Sequence, residues 1–293
     1  MKAFLLNAAV GLLGLLPARL VSFLSYPLGR LTWLASRTKR NSTLRNLQAA
    51  YPELDKHERA RLARESMRHY THGVLEIGMS WTWSHERLLG LFDEPEGLEV
   101  LDQARGQGRG VLLLLPHFGA WEWCAHWLQA HCPAMALYKP GSSATVERKM
   151  LERRQRFGIR MAATDIRGLK RVYQELKDGG VVIQLPDQNP SVGQGRFAPF
   201  FGVPALTGVL APRLIQRTGC RVVFMACSRS GPGRYRMHFL PTDAAVYAPD
   251  PDESLAAINR GVEQCIAIDP AQYLWAYKRY KSRPQGEAPF YHR

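Results

Sequence analysis

The chain has few of the devices that staple or mark small folds. Its five cysteines (Cys124, Cys132, Cys220, Cys227, Cys265) are odd in number and form no Cys-x-x-Cys pair. Zinc-ligand spacing and a disulfide framework are therefore both absent, which favours a reducing compartment. No Gly-x-Ser-x-Gly elbow occurs, which argues against a serine hydrolase. His-Glu-x-x-His is missing too, so a zinc enzyme would have to use His117, Glu122 and His126 as ligands. There is no internal repeat, low-complexity tract or interdomain linker. Acidic residues are the scarce charge: 25 Asp and Glu stand against 39 Lys and Arg, a net charge of +14. Such a balance points to an anionic partner, whether nucleic acid, lipid headgroups, a phosphorylated substrate or an acidic protein. No nucleic-acid recognition motif is present, so nucleic acid is not expected.

A long unbroken apolar run is also lacking. Residues 1–36 are hydrophobic but interrupted by Pro17, Arg19 and Arg30. The first run is shorter than the ~20 residues that span a bilayer. A span from Ala3 to Leu28 would have to carry Arg19 near one interface. The first 52 residues hold seven Lys or Arg and no Asp or Glu. A basic, Trp-containing apolar segment suits an anchor on an anionic cytoplasmic leaflet. The rival reading, a secretory signal, lacks a clear small-residue cleavage site. Residues 1–36 are accordingly expected to be a retained membrane anchor, and 37–293 the working domain.

What the chain does have is centred on Gly110 to Leu128. Val111 to Leu115 are five apolar residues in a row, as in a strand buried on both faces of a covered parallel sheet. Pro116 cannot donate to the ladder and ends that strand. Gly119 permits a turn, and Ala120 to Leu128 then reads as a helix. His117 is thus expected at the carboxyl end of a strand, where open α/β sheets place their ligands. A turn between His117 and Glu122 would let the carboxylate accept from one imidazole nitrogen and leave the other as a base. The bland alternative is a strand-end histidine beside a solvated helix glutamate.

The remaining pattern alternates strands and helices. Arg40 to Pro52 reads as a short helix stopped by proline, and Lys56 to Met67 and His69 to Trp83 carry apolar residues at helical spacing. His69, His72 and His85 lie there with no catalytic pattern linking them, and read as surface or satisfied histidines. Strands are expected at Ala134 to Tyr138, Ile159 to Ala163, Val181 to Leu185, Arg221 to Cys227 and Tyr235 to Leu240. Helices are expected at Ala144 to Phe157, Ile166 to Lys177, Leu206 to Arg217 and Glu253 to Ile268, with a glycine-rich loop from Gly193 to Gly202. This order predicts an α/β fold with a mostly parallel central sheet and helices on both faces. Leu115-Pro116-His117 and Leu185-Pro186-Asp187 end two strands alike, so His117 and Asp187 are expected to face one cleft. From Val146 to Arg171 nine Lys or Arg oppose three acidic residues. That run suits either a solvated helix face or a phosphate site, since guanidinium forks match phosphate oxygens.

Six ordered blocks then resemble one family. His117-Phe-Gly-Ala-Trp-Glu122 resembles the His-x4-Asp/Glu motif of glycerolipid-type acyltransferases, in the form used by the late acyltransferases of bacterial lipid A synthesis. Arg40 to Pro52 is similar to that family's opening block, and Tyr138-Lys139-Pro140 to its Tyr-Arg/Lys-Pro strand end. Pro186-Asp187, Phe197 to Gly202, and Pro270 to Pro284 resemble its later blocks. One His-x4-Glu is weak evidence; six blocks in order over residues 1 to 284 are strong. The sequence departs from the family at Ala120, where many members have Asn, at Ala271, where Glu is common, and at Tyr277-Lys278, which replaces a His-Arg pair.

The resemblance implies His117 as general base with Glu122 as its partner. It also implies substrate-binding roles for Asp187, Tyr138, Lys139 and an arginine of the following helix, Arg154 or its neighbour Arg153. It implies acyl carrier protein as acyl donor, a lipid A precursor as acceptor, inner-membrane lipids as neighbours, and the cytoplasmic face of the inner membrane as location. No metal, nucleotide or other cofactor is implied, because a thioester already activates the acyl group. Alternative expectations are another glycolipid acceptor, or a basic membrane adaptor without catalysis.

Overall fold

The computed structural model describes residues 10–141, 144–155 and 158–291. Residues 1–9 of the expected anchor lie outside the described residues, as does the side chain of Arg153. Residues 10–14 are helical, and α1 (Ala18–Ala35) follows Pro17. Among the described residues no helix is long and apolar enough to cross a membrane. Helix α2 (Arg37–Ala50) ends where Tyr51 precedes Pro52, a residue biased away from helix. The two helices expected from Lys56 onward are one continuous helix, α3 (Lys56–Thr82). Arg68 between them is an ordinary helix former, so nothing interrupts it. Asp55 starts α3 with a capping box: its carboxylate accepts from the backbone N–H of His57 and Glu58, and Glu58 accepts from the N–H of Asp55. Two short helices, α4 (His85–Leu89) and α5 (Leu98–Gly106), lead into the sheet.

The sheet has six strands: β1 (Val111–Leu114), β2 (Ala134–Tyr138), β3 (Arg160–Ala163), β4 (Val181–Gln184), β7 (Arg221–Gly231) and β8 (Arg234–Leu240). Their spatial order is β3-β2-β4-β1-β7-β8, all parallel except the β7–β8 hairpin at one edge. Between them run α6 (Trp121–His131), α7 (Ala144–Gln155), α8 (Ile166–Lys177) and α9 (Leu210–Thr218), and α10 (Pro251–Ala267) follows β8. All four residues of β1 are buried, as a strand covered on both faces requires. Alternation along the strands splits the core. Leu112, Leu114, Val222 and Phe224 pack with Leu214, Ile258, Val262 and Trp275 on one face. Val111, Leu113, Val223 and Met225 pack with Met79, Leu101, Trp123 and Trp127 on the other.

The expectation for residues 193–217 also fails. The glycine-rich loop and the start of the helix expected at Leu206 are an antiparallel hairpin, β5 (Gly195–Phe200) and β6 (Val203–Gly208). Its two-residue turn, Phe201 and Gly202, has φ of 48° and 72°, the signature of a primed turn that matches strand twist. Helix α9 begins only at Leu210 because the preceding residues are committed to the hairpin.

Strands β1 and β4 are neighbours in exact step. Leu114 lies opposite Gln184, and the Leu115 N–H continues the ladder to the Gln184 carbonyl. Both strands run three residues further to His117 and Asp187, so register alone brings these two side chains to one rim.

Candidate active site

The turn after β1 is clamped from two sides. The Phe118 N–H closes on the Pro116 carbonyl at 2.7 Å, and Gly119 takes φ +55°. The Gly119 N–H donates to the Gln272 carbonyl (2.9 Å) and the Ala120 N–H to Cys227 of β7 (2.8 Å). The His117 carbonyl accepts from Leu274 N–H at 3.2 Å. A side chain at position 119 has no room: a Cβ there would stand 2.0 Å from the Cys227 oxygen. Gly119 is therefore demanded by φ and by close approach together.

Held by this turn, His117 meets Asp187 twice. Its backbone N–H donates to Oδ2 at 2.9 Å and its Nδ1 lies 2.8 Å from Oδ1. The imidazole Nε2 lies 3.1 Å from Nε2 of Gln188, whose amide N–H donates to it when Nδ1 carries the ring proton. Trp121 packs edge-on against the ring, with centroids 4.9 Å apart. Burial alone would push the Asp187 carboxyl up. The adjacent imidazole, the two bonds from His117 and the Arg279 guanidinium outweigh burial and hold it below the usual carboxylate value. An ionised Asp187 fixes the Nδ1–H tautomer and leaves Nε2 with its lone pair.

Glu122 is placed differently from the expectation that it would orient this ring. It sits in the first turn of α6, and its Oε1 accepts from Nη2 of Arg154 on α7 at 2.5 Å. The nitrogen expected to face Glu122 is taken by Asp187, because parallel register delivers Asp187 to that spot while Glu122 points toward α7. The site thus contains two adjacent pairs, His117 with Asp187 and Glu122 with Arg154. Tyr138 ends β2, beyond β4 on the same rim, and its hydroxyl donates to Glu147 at 3.2 Å rather than to His117. Burial, followed by the Glu147 carboxylate, pushes the Tyr138 phenol up. Lys139 is exposed beside it. His126 is buried on α6 with Nε2 3.4 Å from Ser80 Oγ, and burial takes it down to about 4.

Behind the turn lies a buried polar cluster that sequence reading missed. Arg229 of β7 forks onto Glu76 of α3 (2.9 and 2.6 Å) and reaches the Gly119 carbonyl at 3.0 Å with Nη2. Tyr235 donates to Glu76 at 2.8 Å, and Gln272 bridges Arg229 N–H and carbonyl. Burial would push the Glu76 carboxyl up, but Arg229 first and then His72 hold it below its usual value. His69 and His72 belong to this cluster and are buried rather than exposed; both ring nitrogens of His69 meet arginines, whereas Nδ1 of His72 has no hydrogen-bond partner. Burial, then Arg229, drives His69 far below its ordinary value, and burial takes His72 down to about 4 against the pull of Glu76. Nothing in the sequence links Glu76 to Arg229, which lie 153 residues apart. Gln188 directly follows Asp187 at the end of β4, but nothing in the sequence announces its contact with the ring. Tyr277, one of the departures from the family pattern, accepts the Asn189 N–H at 2.9 Å and so steadies the Asp187 loop.

The carboxyl rim of this mostly parallel α/β sheet thus carries a carboxylate-oriented histidine beside an Arg–Glu pair. The family model for bacterial lipid A biosynthesis acyltransferases matches residues 1–282, and the chain belongs to that family. It is 27% identical over 273 residues to a lipid A biosynthesis lauroyltransferase of Escherichia coli K12, covering 92% of this chain and 88% of that one. It is 28% identical over 278 residues to the palmitoleoyltransferase of the same organism, covering 94% and 90%. To the myristoyltransferase it is 25% identical over 293 residues, covering 99% and 90%.

Proposed function

We propose that this lipid A biosynthesis acyltransferase moves a fatty acyl chain from acyl carrier protein to a hydroxyl of a lipid A precursor, at the cytoplasmic face of the inner membrane. His117 Nε2 takes the proton of the acceptor hydroxyl as its oxygen attacks the thioester carbonyl. The tetrahedral intermediate collapses with cleavage of the C–S bond, and the imidazolium returns the proton to the leaving thiolate. The products are an ester and a free thiol, and no other reactant is consumed. Base catalysis of this kind is typically worth about 10²–10⁴-fold. The observation that carries the reading is the bond from Nδ1 to the buried Asp187, which orients the ring and stabilises its charged form.

Glu122 holds Arg154 at the rim in this reading, and the remaining guanidinium donors bind a phosphate of the acceptor or the developing oxyanion. Tyr138 and Lys139 extend the same rim toward the acceptor. Mass spectrometry of lipid A from cells lacking the protein tests the proposal, since chain and position are read together. Loss of one acyl chain, restored by the parent gene and not by a His117→Ala gene, is expected. Unchanged lipid A would refute it.

A further inference from the structure

The base is covered by a side chain that the reaction described above does not use. Gln188 follows Asp187 directly, and its amide Nε2 lies 3.1 Å from Nε2 of His117. With Nδ1–H committed to Asp187, Nε2 has one lone pair, and the Gln188 N–H already occupies it. That contact is the only hydrogen bond of this amide among the described residues. Little of the ring is open elsewhere: the His117 side chain is 14% exposed, with buried Asp187 on one nitrogen and Trp121 against its edge. One lone pair serves one donor at a time. Any hydroxyl that His117 deprotonates must therefore first displace Gln188.

Only the side chain can make way. The backbone on either side is tied down, Asp187 by its two bonds to His117. Asn189 is held by its N–H to the Tyr277 hydroxyl (2.9 Å) and by its Nδ2 to Ser282 Oγ (3.2 Å). Gln188 itself is half-buried, and rotation about its side-chain torsions moves the amide off Nε2 without shifting the loop. Because this donor is part of the chain, it faces the base whether or not substrate is bound. Water reaches the base from bulk with no other hold on the site. An acceptor arrives with contacts elsewhere on the rim, and that binding energy displaces the amide. The arrangement thus discriminates between two nucleophiles of one chemical type, water and a bound hydroxyl.

We propose that Gln188 is a specificity-determining residue: its amide pairs with His117 Nε2 until the acceptor hydroxyl displaces it, and so protects the acyl thioester from hydrolysis. In the suppressed side reaction Nε2 takes a proton from water as the water oxygen bonds to the thioester carbonyl carbon. The C–S bond then breaks and the proton returns to the leaving thiolate, giving a fatty acid and a free thiol. The inference rests on the acyltransferase reading for the identity of the two nucleophiles, and on geometry alone for the masked lone pair.

The test replaces Gln188 in the full-length protein by Met, which has a similar volume and no N–H donor. Hydrolysis of a saturated fatty acyl thioester of acyl carrier protein, measured without acceptor, should rise about threefold to tenfold, the equilibrium shift that one net hydrogen bond gives. The concentration of purified lipid A precursor that half-saturates single-turnover transfer should fall by a similar factor, because binding no longer includes displacement. Gln188→Ala removes cover as well as donor and should show the larger rise in hydrolysis. In Gln188→Met/His117→Ala the added hydrolysis should vanish, since it passes through the base. A further readout needs no acyl transfer: diethyl pyrocarbonate should modify His117 several-fold faster in Gln188→Met than in the parent, read by mass spectrometry of its peptide on the high-pH plateau. Unchanged hydrolysis in both single variants would overturn the inference. A rise in Gln188→Ala alone would make the side chain a steric cover and overturn the competition for the lone pair. A lower maximal transfer rate with unchanged hydrolysis would assign the amide to the transition state and overturn it as well. Faster modification of His117 in an enzyme whose parent transfers no acyl chain would refute the acyltransferase reading and leave the masked base intact.

Discussion

Removing Glu76 tests the cluster behind the catalytic turn. The carboxylate and the Arg229 guanidinium are each about 4% exposed, so neither can turn to water. A Glu76→Ala substitution leaves the guanidinium buried with only neutral His69 and the Gly119 carbonyl as described side-chain partners. Stranding one member of a buried ion pair costs about 3–5 kcal/mol. For a chain of this size that lowers Tm by roughly 6–20 °C. Replacing both charges by apolar residues of similar volume is close to neutral in other proteins, but here the Tyr235 hydroxyl would lose its acceptor at a cost of about 1–3 kcal/mol. A Glu76→Leu/Arg229→Met/Tyr235→Phe variant should therefore recover most of the lost stability. Its acyl transfer should stay depressed, because the Gly119 carbonyl has lost its donor and the turn carrying His117 is looser. Thermal unfolding and single-turnover transfer on the same samples separate the two effects. A Glu76→Ala protein as stable as the parent would refute the ion-pair account, and a fully active triple variant would refute the claim on the turn.

Three further outcomes follow from the site. Asn at position 187 offers one acceptor oxygen where two N–H groups of His117 now meet a carboxylate, so Asp187→Asn should lower transfer by about 10²-fold or more. The folded Asp187 carboxyl titrates below its ordinary value, so its contribution to stability is present at neutral pH and is lost as pH falls through the ordinary carboxylate range toward the folded value; equilibrium unfolding across that range should show a shallower acid loss in Asp187→Asn than in the parent. Arg154 and Glu122 are partly exposed, 18% and 24%, so Arg154→Gln should change stability by less than about 1 kcal/mol while reducing transfer, as chemical denaturation and kinetics on the same variant would show.

The parts of the site visible in the sequence were those written in local chemistry. Two buried apolar runs, each closed by proline and followed by His117 or Asp187, announce two parallel strands ending on one rim. Which carboxylate would meet the imidazole was not visible, because it depends on β1 and β4 being adjacent and in step across 70 residues. Proximity in sequence favoured Glu122, and strand register delivered Asp187. The hairpin from Gly195 to Gly208 was obscured by the glycines and prolines that shape it, since the same residues mark loops. Arg279 illustrates the limit of reading charge from sequence. It belongs to a basic cluster near the end of the chain, yet it is buried and donates to the Leu206 carbonyl and to Thr207, fastening the hairpin. The glutamate–arginine clamp at positions 76 and 229 was invisible for the reason Asp187 was, since its members meet only through tertiary packing.

The central claim is that His117 Nε2 removes the acceptor proton. The most direct measurement is the single-turnover rate of acyl transfer from acyl carrier protein to a purified lipid A precursor, by the parent and by a folded His117→Ala variant, at saturating concentrations of both substrates. The account predicts a loss of about 10²-fold or more with the unfolding midpoint essentially unchanged. A His117→Ala protein that transfers within a few-fold of the parent rate would contradict it.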